Sequence, residues 1–239
     1  MGSIILFILV TIVSIAWFIP GVKHQGDRSR FSTGDYVKTG LLYGFLFSSV
    51  LIIITEIIWD ILFKWTGIKG LPAELLSDFF RAALLEEFFK FKAFKMAKKK
   101  KNLDRKIDYI MMAGLMGLVY SLVETLATGN MASAVLGIIF PMHILWQYNQ
   151  GAHYYEHEQA KKLDNPVKAR KEYGIAIFFT FFFHGTWDSM IDVILFLINK
   201  KSIILQVIGG MMLLGLLTTG IIYAVKTIKM VIRESGKET

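Results

Sequence analysis

The sequence contains apolar runs that are too long for a water-soluble domain. Residues 203–225 are 23 consecutive residues without a charged side chain, and residues 4–19 are another 16. A transmembrane helix needs about 20 predominantly apolar residues. Hydrophobic residues make up 54% of the chain and charged residues only 19%, against about 25% in soluble domains. These runs predict a membrane protein and exclude a compact soluble domain and a disordered chain.

The hydrophobic pattern predicts an all-α, polytopic membrane helical bundle with about seven transmembrane helices. The predicted spans are residues 3–20, 39–63, 72–97, 107–128, 131–157, 173–198 and 202–231. Because the connectors are short, we expect a single integral membrane domain over residues 1–239. The third span is unusual, since it contains eight ionisable residues. A helix of that polarity requires protein to cover its polar face.

The distribution of Lys and Arg predicts the orientation of the chain. Connectors on one face hold 21 of the 27 basic residues, those on the other face hold 4, and Arg81 and Lys90 lie inside the third span. The positive-inside rule therefore places the amino terminus outside and the carboxyl terminus in the cytoplasm. The net charge of +8 then reflects membrane topology, and no nucleic-acid partner is expected. The absence of cysteine excludes a cysteine nucleophile and a disulfide framework.

Several ionisable side chains fall inside otherwise apolar segments, where such groups are usually functional or paired. They are Glu86, Glu87 and Lys90 in the third span, Glu124 in the fourth, His143 in the fifth, and His184 and Asp188 in the sixth. Glu86 and Lys90 share a helical face, whereas Glu87 points about 100° away. Each group alone also fits a structural ion pair or a hydrogen bond between helices.

Helix geometry predicts that these groups meet. At about 1.5 Å per residue, four of them lie roughly 16–22 Å below the outer surface: Glu86, His143, His184 and Asp188. Glu124 is shallower, at roughly 7 Å. The combination indicates one buried polar site that is open to water. Glu124 belongs to a stripe with the small residues Gly114, Gly117 and Ser121, which favour close helix packing, and Gln147, Gln150 and Tyr154 form a polar stripe after His143.

Two routes to hydrolysis are compatible with these residues. In the first, a glutamate deprotonates a water that attacks a carbonyl, and His or Asp donors stabilise the oxyanion. In the second, His143, His184 and Glu86 bind a zinc ion that activates the water. The zinc signature His-Glu-x-x-His is absent, so such a ligand set must come from different helices. No cofactor is required by the first route, and zinc is the cofactor of the second.

Four motifs in order resemble those of PrsW-type intramembrane proteases. They are Glu86-Glu87-x-x-Lys90, then Gly-Leu-Val-Tyr-Ser-Leu-Val-Glu over residues 117–124, then Pro141-Met-His143 followed by Trp146 and Gly151, and finally His184-x-x-x-Asp188. The resemblance spans about residues 85–188. These proteases share a superfamily with type II CAAX prenyl proteases and with a non-proteolytic scaffold subunit of gamma-secretase.

The resemblance implies a helical intramembrane endopeptidase of bacterial cell membranes, with residues 72–198 as its catalytic core. Its partners would be the lipid bilayer and a membrane-anchored protein substrate, such as an anti-sigma factor. Glu86 and Glu87 would be the catalytic carboxylate pair, and Glu124, His143 and His184 would complete the centre. We expect Glu86 to be the base, with the two histidines binding the attacked carbonyl or the water.

Two positions depart from the family pattern, and they bear on the alternatives. Thr125 and Asp188 stand where the family usually has Asn. An ionised Asp cannot donate a hydrogen bond to an oxyanion, so we expect Asp188 to accept one from His184 and leave the other ring nitrogen facing the cavity.

The rival functions are a non-catalytic membrane scaffold or chaperone and a proton-coupled transporter. A scaffold has no need of the paired carboxylates Glu86 and Glu87, and a transporter usually has internal repeats.

Overall fold

The computed structural model describes residue 12, residues 33–128 and residues 142–236, and the regular structure of these residues is entirely helical. The α-helices are α1 (Thr33–Thr66), α2 (Leu71–Leu76), α3 (Glu87–Lys101), α4 (Lys106–Thr128), α5 (Met142–Lys162), α6 (Pro166–Ile198) and α7 (Ile203–Gly236). A π-helical segment, Ser77–Glu86, joins α2 to α3. The predicted all-α membrane bundle is confirmed.

Among the described residues, three helical stretches are long and apolar enough to cross a membrane. They are Lys106–Glu124, Pro166–Ile198 and Ile203–Glu234, which correspond to the fourth, sixth and seventh predicted spans. The other crossings, and with them the total of seven, stay predictions. The first predicted span, apart from residue 12, and the beginning of the fifth lie outside the described residues, as does the side chain of Thr125.

The helix ends follow from local sequence. Gly70 precedes α2 with a φ of 69°, a conformation that glycine adopts without steric cost. Asn102 ends α3 in the left-handed region with a φ of 51°, where Asn is tolerated better than most residues. Asn165 accepts a hydrogen bond from the backbone N–H of Lys168 at 3.0 Å and so caps α6.

The third predicted span is one continuous helical rod that changes its hydrogen-bonding register. It begins as α2, widens into the π-helical segment and returns to α-helix between Glu86 and Glu87. Long π-helical stretches are rare, and short ones are frequent at functional sites. The sequence pattern did not predict this change, and its consequence is that the two carboxylates stand at the junction of the two helical forms.

The bundle buries its polar site between α3, α4, α5 and α6. Helix α4 packs against α1 and α5, and α5 packs against α6. Large side chains such as Met112, Trp146 and Tyr148 are almost fully buried in this interior. By contrast, α1 and α7 expose many large apolar side chains, as is typical of helices that face lipid. The ionisable groups of the interior are therefore covered by protein.

The small-residue stripe of α4 brings α5 unusually close, as predicted. A Cβ atom on Gly117 would overlap the backbone carbonyl of His143, and one on Gly114 would overlap the ring of Tyr148. On α5, a Cβ on Gly151 would lie 2.5 Å from the carbonyl oxygen of Tyr109. Backbone atoms cannot move aside as flexible side chains do, so these glycines hold α4 and α5 at their spacing.

Gly117→Ala is expected to lower the thermal unfolding midpoint, because the added methyl group must push α4 away from the His143 carbonyl. The matched control is Gly215→Ala on α7, where an added Cβ would meet no atom within 4 Å. Ala is favoured over Gly in a helix by about 1 kcal/mol, so Gly215→Ala should keep or raise the midpoint. Equal midpoints for the two variants, measured by thermal denaturation in detergent, would contradict the close-packing account.

Candidate active site

The structure brings the six predicted site residues together from the π-helical segment and four α-helices. Glu86 ends the π-helical segment, Glu87 begins α3, Glu124 lies in α4, His143 lies at the start of α5, and His184 and Asp188 lie in α6. Hydrogen-bonding distances of 2.9–3.0 Å join His143 to Glu124 and join His184 to Glu87 and Asp188, and Glu86 Oε2 lies 3.8 Å from His184 Nε2. The predicted convergence of these residues is therefore observed, whereas their roles are not tested by geometry alone.

Lys90 is the buried cation of the site. Its Nζ lies 2.8 Å from Glu87 Oε1, 2.9 Å from His143 Nδ1 and 3.5 Å from Glu86 Oε2. It also lies 4.0 Å from the centre of the Tyr120 ring, an attractive cation–π arrangement. Only 3% of Lys90 is exposed. Because an ammonium group can only donate hydrogen bonds, Nδ1 of His143 must accept the bond from Lys90.

The bond from Lys90 fixes the tautomer of His143. With Nδ1 acting as an acceptor, the ring proton resides on Nε2, which lies 2.9 Å from Glu124 Oε2 and donates to it. This contact corrects the predicted depth of Glu124, which was wrong in placing this carboxylate well above His143. The prediction counted Glu124 from a span end at residue 128 and His143 from a span start at residue 131, so the errors of two assumed ends add, and the side chain of Glu124 reaches His143.

Glu87, rather than Glu86, holds the hydrogen-bond network together. Its Oε1 accepts from Lys90 and lies 2.9 Å from His184 Nδ1, while its Oε2 accepts from Gln147 Nε2 at 2.6 Å. Only 2% of Glu87 is exposed. The prediction that Glu86 faces Lys90 while Glu87 points away was wrong about which of the two carboxylates lies closer to Lys90. Residues three apart also meet on a helix, and Lys90 reaches Glu87 more closely than Glu86.

His184 is held between two carboxylates. Its Nε2 lies 3.0 Å from Asp188 Oδ2, so the predicted contact between these residues is confirmed. Its Nδ1 contacts Glu87, so the prediction that the second nitrogen faces an open cavity was wrong. The indole of Trp146 stacks on the imidazole with ring centroids 4.7 Å apart. These contacts leave the buried His184 ring little freedom to rotate.

Glu86 carries a buried carboxylate oxygen that is not hydrogen-bonded within the described part of the chain. Its Oε2 is buried and has no hydrogen-bond partner among the described residues. Two chargeable nitrogens lie near it, Lys90 Nζ at 3.5 Å and His184 Nε2 at 3.8 Å. A buried polar atom without a hydrogen-bond partner usually binds a water or an ion, or takes part in a reaction. Glu86 is thus chemically distinct from Glu87, whose oxygens are both engaged.

Three of the residues fit a metal ion. Glu86, His143 and His184 each offer one ligand atom, and these atoms lie within 4.8 Å of one another. Two imidazoles and one carboxylate form a known ligand set of catalytic zinc. Carboxylates beside the second nitrogen of ligating histidines orient such rings, and Glu87 and Glu124 stand in those positions. The unpartnered Oε2 of Glu86 supports the same fit.

Sequence reasoning missed three neighbours that shape the site. Gln147 is fully buried and donates to Glu87, Trp146 stacks on His184, and Tyr120 contacts both Lys90 and the ring of His143. Gln147 had a signal, since it lies four residues after His143 in the polar stripe of α5. Apart from their place within the quoted motifs, nothing in the sequence marked Trp146 and Tyr120 as part of the site, because aromatic residues are common in apolar helices.

An all-helical membrane protein with carboxylates and imidazoles gathered at one buried point has the groups that a membrane hydrolase requires. Comparison with protein families gives the particular assignment: residues 35–218 match the PrsW family intramembrane metalloprotease. The match covers most of the 239-residue chain and includes all six predicted site residues. The protein belongs to the PrsW family and is a membrane peptide hydrolase. No curated protein and no solved structure matches the chain.

Proposed function

We propose that the protein is an intramembrane endopeptidase in which Glu86 is the general base for the attacking water or, in a second form of the mechanism, one of three ligands of a zinc ion. The observation that carries this proposal is the buried Oε2 of Glu86, which has no hydrogen-bond partner among the described residues. It stands beside His184 and Lys90, so that a negative charge developing nearby would meet an imidazole and an ammonium group. The family membership supports the peptide bond as the bond that is cleaved.

In the first form of the mechanism, Glu86 Oε2 is the general base. It removes a proton from the water while the water oxygen attacks the carbonyl carbon of the peptide bond. The electron pair of the carbonyl moves to its oxygen, and Lys90 and His184 supply positive charge or donors on that side. When the carbon–nitrogen bond breaks, Glu86 passes the proton to the leaving nitrogen. Glu87 and Gln147 keep His184 oriented throughout.

The positions of Glu86, His143 and His184 support a second form of the mechanism, in which a metal ion takes part. A zinc ion held by these three residues would polarise the substrate carbonyl and activate the water. Glu86 would then be a ligand and not the base. The carboxylate of Glu124, whose side chain is 30% exposed, would then accept the proton from the water. His143 connects Glu124 to the rest of the site.

We propose that the substrate is a membrane-anchored protein cut near or within its span, with an anti-sigma factor as the expected example. The apolar outer faces of α1 and α7 and the buried position of the site suit a substrate that arrives through the bilayer. The scaffold alternative is less favoured, since burying Glu86 Oε2 without a hydrogen-bond partner costs stability in a protein that has no chemistry to perform.

The test is cleavage of single-span reporter proteins by the purified protein in liposomes. Wild-type protein is expected to cleave, whereas the scaffold alternative predicts no cleavage of any reporter. Treatment with a chelator, followed by separate readdition of zinc and magnesium, separates the two forms of the mechanism. Loss of activity that only zinc restores, with zinc bound by wild type and not by His143→Ala, supports the second form. Full activity in a protein shown to be metal-free supports the first.

We propose further that the chain is one membrane domain in the cell membrane, with residues 72–198 as its core, its amino terminus outside and its carboxyl terminus in the cytoplasm. Single cysteines can report this topology cleanly, because the chain contains none. Lys100→Cys should be labelled only from the cytoplasm and Lys201→Cys only from outside; both side chains are exposed. Labelling of both residues from the same face would contradict the seven-span topology.

A further inference from the structure

Three aspartates form a cluster beside the candidate site, and we call them the acidic rim. Asp78 lies in the π-helical segment, and Asp188 and Asp192 lie four residues apart on one face of α6. The π-helical segment packs against α6. Because α3 continues the same helical rod to Lys101, the acidic rim stands at the opposite end of the bundle from that lysine-rich terminus.

The carboxyl groups of the acidic rim lie within electrostatic range of one another. Asp78 interacts with both Asp188 and Asp192, and Asp192 also interacts with Asp188. Arg81 offsets part of this charge at Asp78. Within the described part of the chain, however, neither Asp78 nor Asp192 forms a direct ion pair with a lysine or an arginine. Neighbouring carboxylates repel one another, so the acidic rim favours the binding of a cation.

The acidic rim also contains buried polar atoms that are not hydrogen-bonded. Ser189 is only 9% exposed, and its side chain lies beside the carboxyl group of Asp78. Nevertheless, neither Ser189 Oγ nor Asp78 Oδ2 completes a hydrogen bond to another described residue. Both oxygens are hydrogen-bond acceptors, and buried acceptors without a partner are rare. They fit a ligand group that donates hydrogen bonds and carries positive charge.

The acidic rim connects the buried site to accessible surface. His184 is 1% exposed, whereas the side chain of Asp188 is 32% exposed. Asp188 Oδ2 lies 3.0 Å from His184 Nε2, so Asp188 belongs both to the site and to the rim. Asp78 and Asp192 are half-buried. A group that binds at the rim therefore lies directly beside a residue of the candidate active site.

A basic side chain suits the acidic rim better than a metal ion does. Among the described residues, the ligand atoms that lie close enough together to hold a metal ion are those of Glu86, His143 and His184. The carboxylates of the rim form no second group of that kind in the described part of the chain. A lysine or an arginine carries several donors on a long side chain, so it can reach between carboxylates that stand further apart.

We propose that the acidic rim binds a lysine or arginine side chain of the substrate, close to the peptide bond that is cut. The ammonium or guanidinium group supplies the positive charge that Asp78 and Asp192 lack. It also supplies hydrogen-bond donors for Ser189 Oγ and Asp78 Oδ2. The proposal rests on the proposed function, because the basic side chain belongs to the protein that is cleaved.

Binding at the acidic rim makes the protease selective. In the proposed topology the rim lies toward the outer surface, whereas membrane proteins carry an excess of lysine and arginine in their cytoplasmic loops. A basic residue on the outer flank of a span is therefore a feature that fewer single-span proteins have. The rim thus distinguishes substrates by the charge of that flank.

The test uses single-span reporters that carry one arginine at successive positions of the outer flank, each matched by a reporter with glutamine at that position. For wild-type protein in liposomes, kcat/KM should be at least about tenfold higher for arginine than for glutamine at one of these positions. Added salt should reduce this ratio, because accessible charges are screened. Asp192→Asn should also reduce it, and Asp192→Arg should favour glutamate at the same position.

Asp164→Asn is the matched control, since Asp164 is an exposed aspartate on the connector between α5 and α6. It should retain the wild-type preference for arginine. The proposal is overturned if folded Asp192→Asn and Asp192→Arg proteins keep that preference, or if wild-type protein cleaves the arginine and glutamine reporters equally. Should Asp192→Arg fail to fold, the Asp192→Asn result alone decides.

A binding measurement keeps this proposal separable from the proposed function. Energy transfer between a dye on the reporter and a dye on one introduced cysteine reports binding in liposomes, since the chain contains no cysteine of its own. Tighter binding of the arginine reporter that Asp192→Asn abolishes, without any cleavage by wild-type protein, would remove the protease proposal and retain the rim. Cleavage with equal binding of both reporters would remove the rim and retain the protease.

Discussion

Replacing Glu86 with glutamine is expected to lower the rate of peptide hydrolysis at least about 100-fold, the scale for loss of a general base. Glutamine keeps the shape of the side chain but neither accepts a proton from water nor replaces a carboxylate ligand of zinc. The fold should persist, because the closest charged atoms to Glu86 Oε2 are 3.5 Å and 3.8 Å away, so no close hydrogen bond is lost there.

The rate of reporter cleavage in liposomes measures the loss of hydrolysis, and the thermal unfolding midpoint measures whether the fold persists. Glu74→Gln is the matched control, because Glu74 lies exposed on α2 of the same helical rod. It should change neither quantity. Turnover by Glu86→Gln equal to that of wild type would exclude Glu86 both as base and as metal ligand.

Replacing Lys90 with methionine is expected to destabilise the protein by about 3–5 kcal/mol, the usual cost of removing one partner from a buried ion pair. Methionine fills much of the volume but leaves Glu87, which is 2% exposed, without its ammonium partner. Denaturant titration of the purified protein measures the change. Lys92→Met is the control on the same helix, since Lys92 is exposed, and its effect should be small.

A double substitution tests the cause of this loss. Adding Glu87→Gln to Lys90→Met removes the uncompensated charge, so the double variant should recover much of the stability lost by Lys90→Met alone. If the double variant is as unstable as the sum of the two single changes, then the loss comes from packing and not from the buried charge.

The sequence was informative about the site because ionisable groups are costly in a membrane. Glu86, Glu124, His143 and His184 were each visible as exceptions in apolar segments, and the structure brings them together. Gln147 was harder to recognise as part of the site, because an uncharged amide is a weaker exception than a carboxylate. The close packing at Gly117 was predictable for a similar reason, since small residues at helical spacing have a direct steric meaning.

Other features depend on geometry that local sequence does not contain. Lys90 lies closer to Glu87 than to Glu86, contrary to the prediction. This depends on the direction in which the long side chain of Lys90 extends, which helical spacing does not determine. The π-helical segment Ser77–Glu86 is a change of hydrogen-bond register with no strong residue preference. The depth of Glu124 was misjudged because apolar pattern defines the end of a span only to within several residues.

The most direct test of the account is mass spectrometry of products formed in water enriched in oxygen-18. Purified wild-type protein in liposomes is expected to cut a single-span reporter at a bond within or beside its span. The new carboxyl terminus should carry one oxygen-18 atom, and Glu86→Gln should yield no such product above background. Wild-type protein that yields no fragment from any reporter, or a Glu86→Gln protein that yields the same labelled fragment at the same rate, would contradict the account.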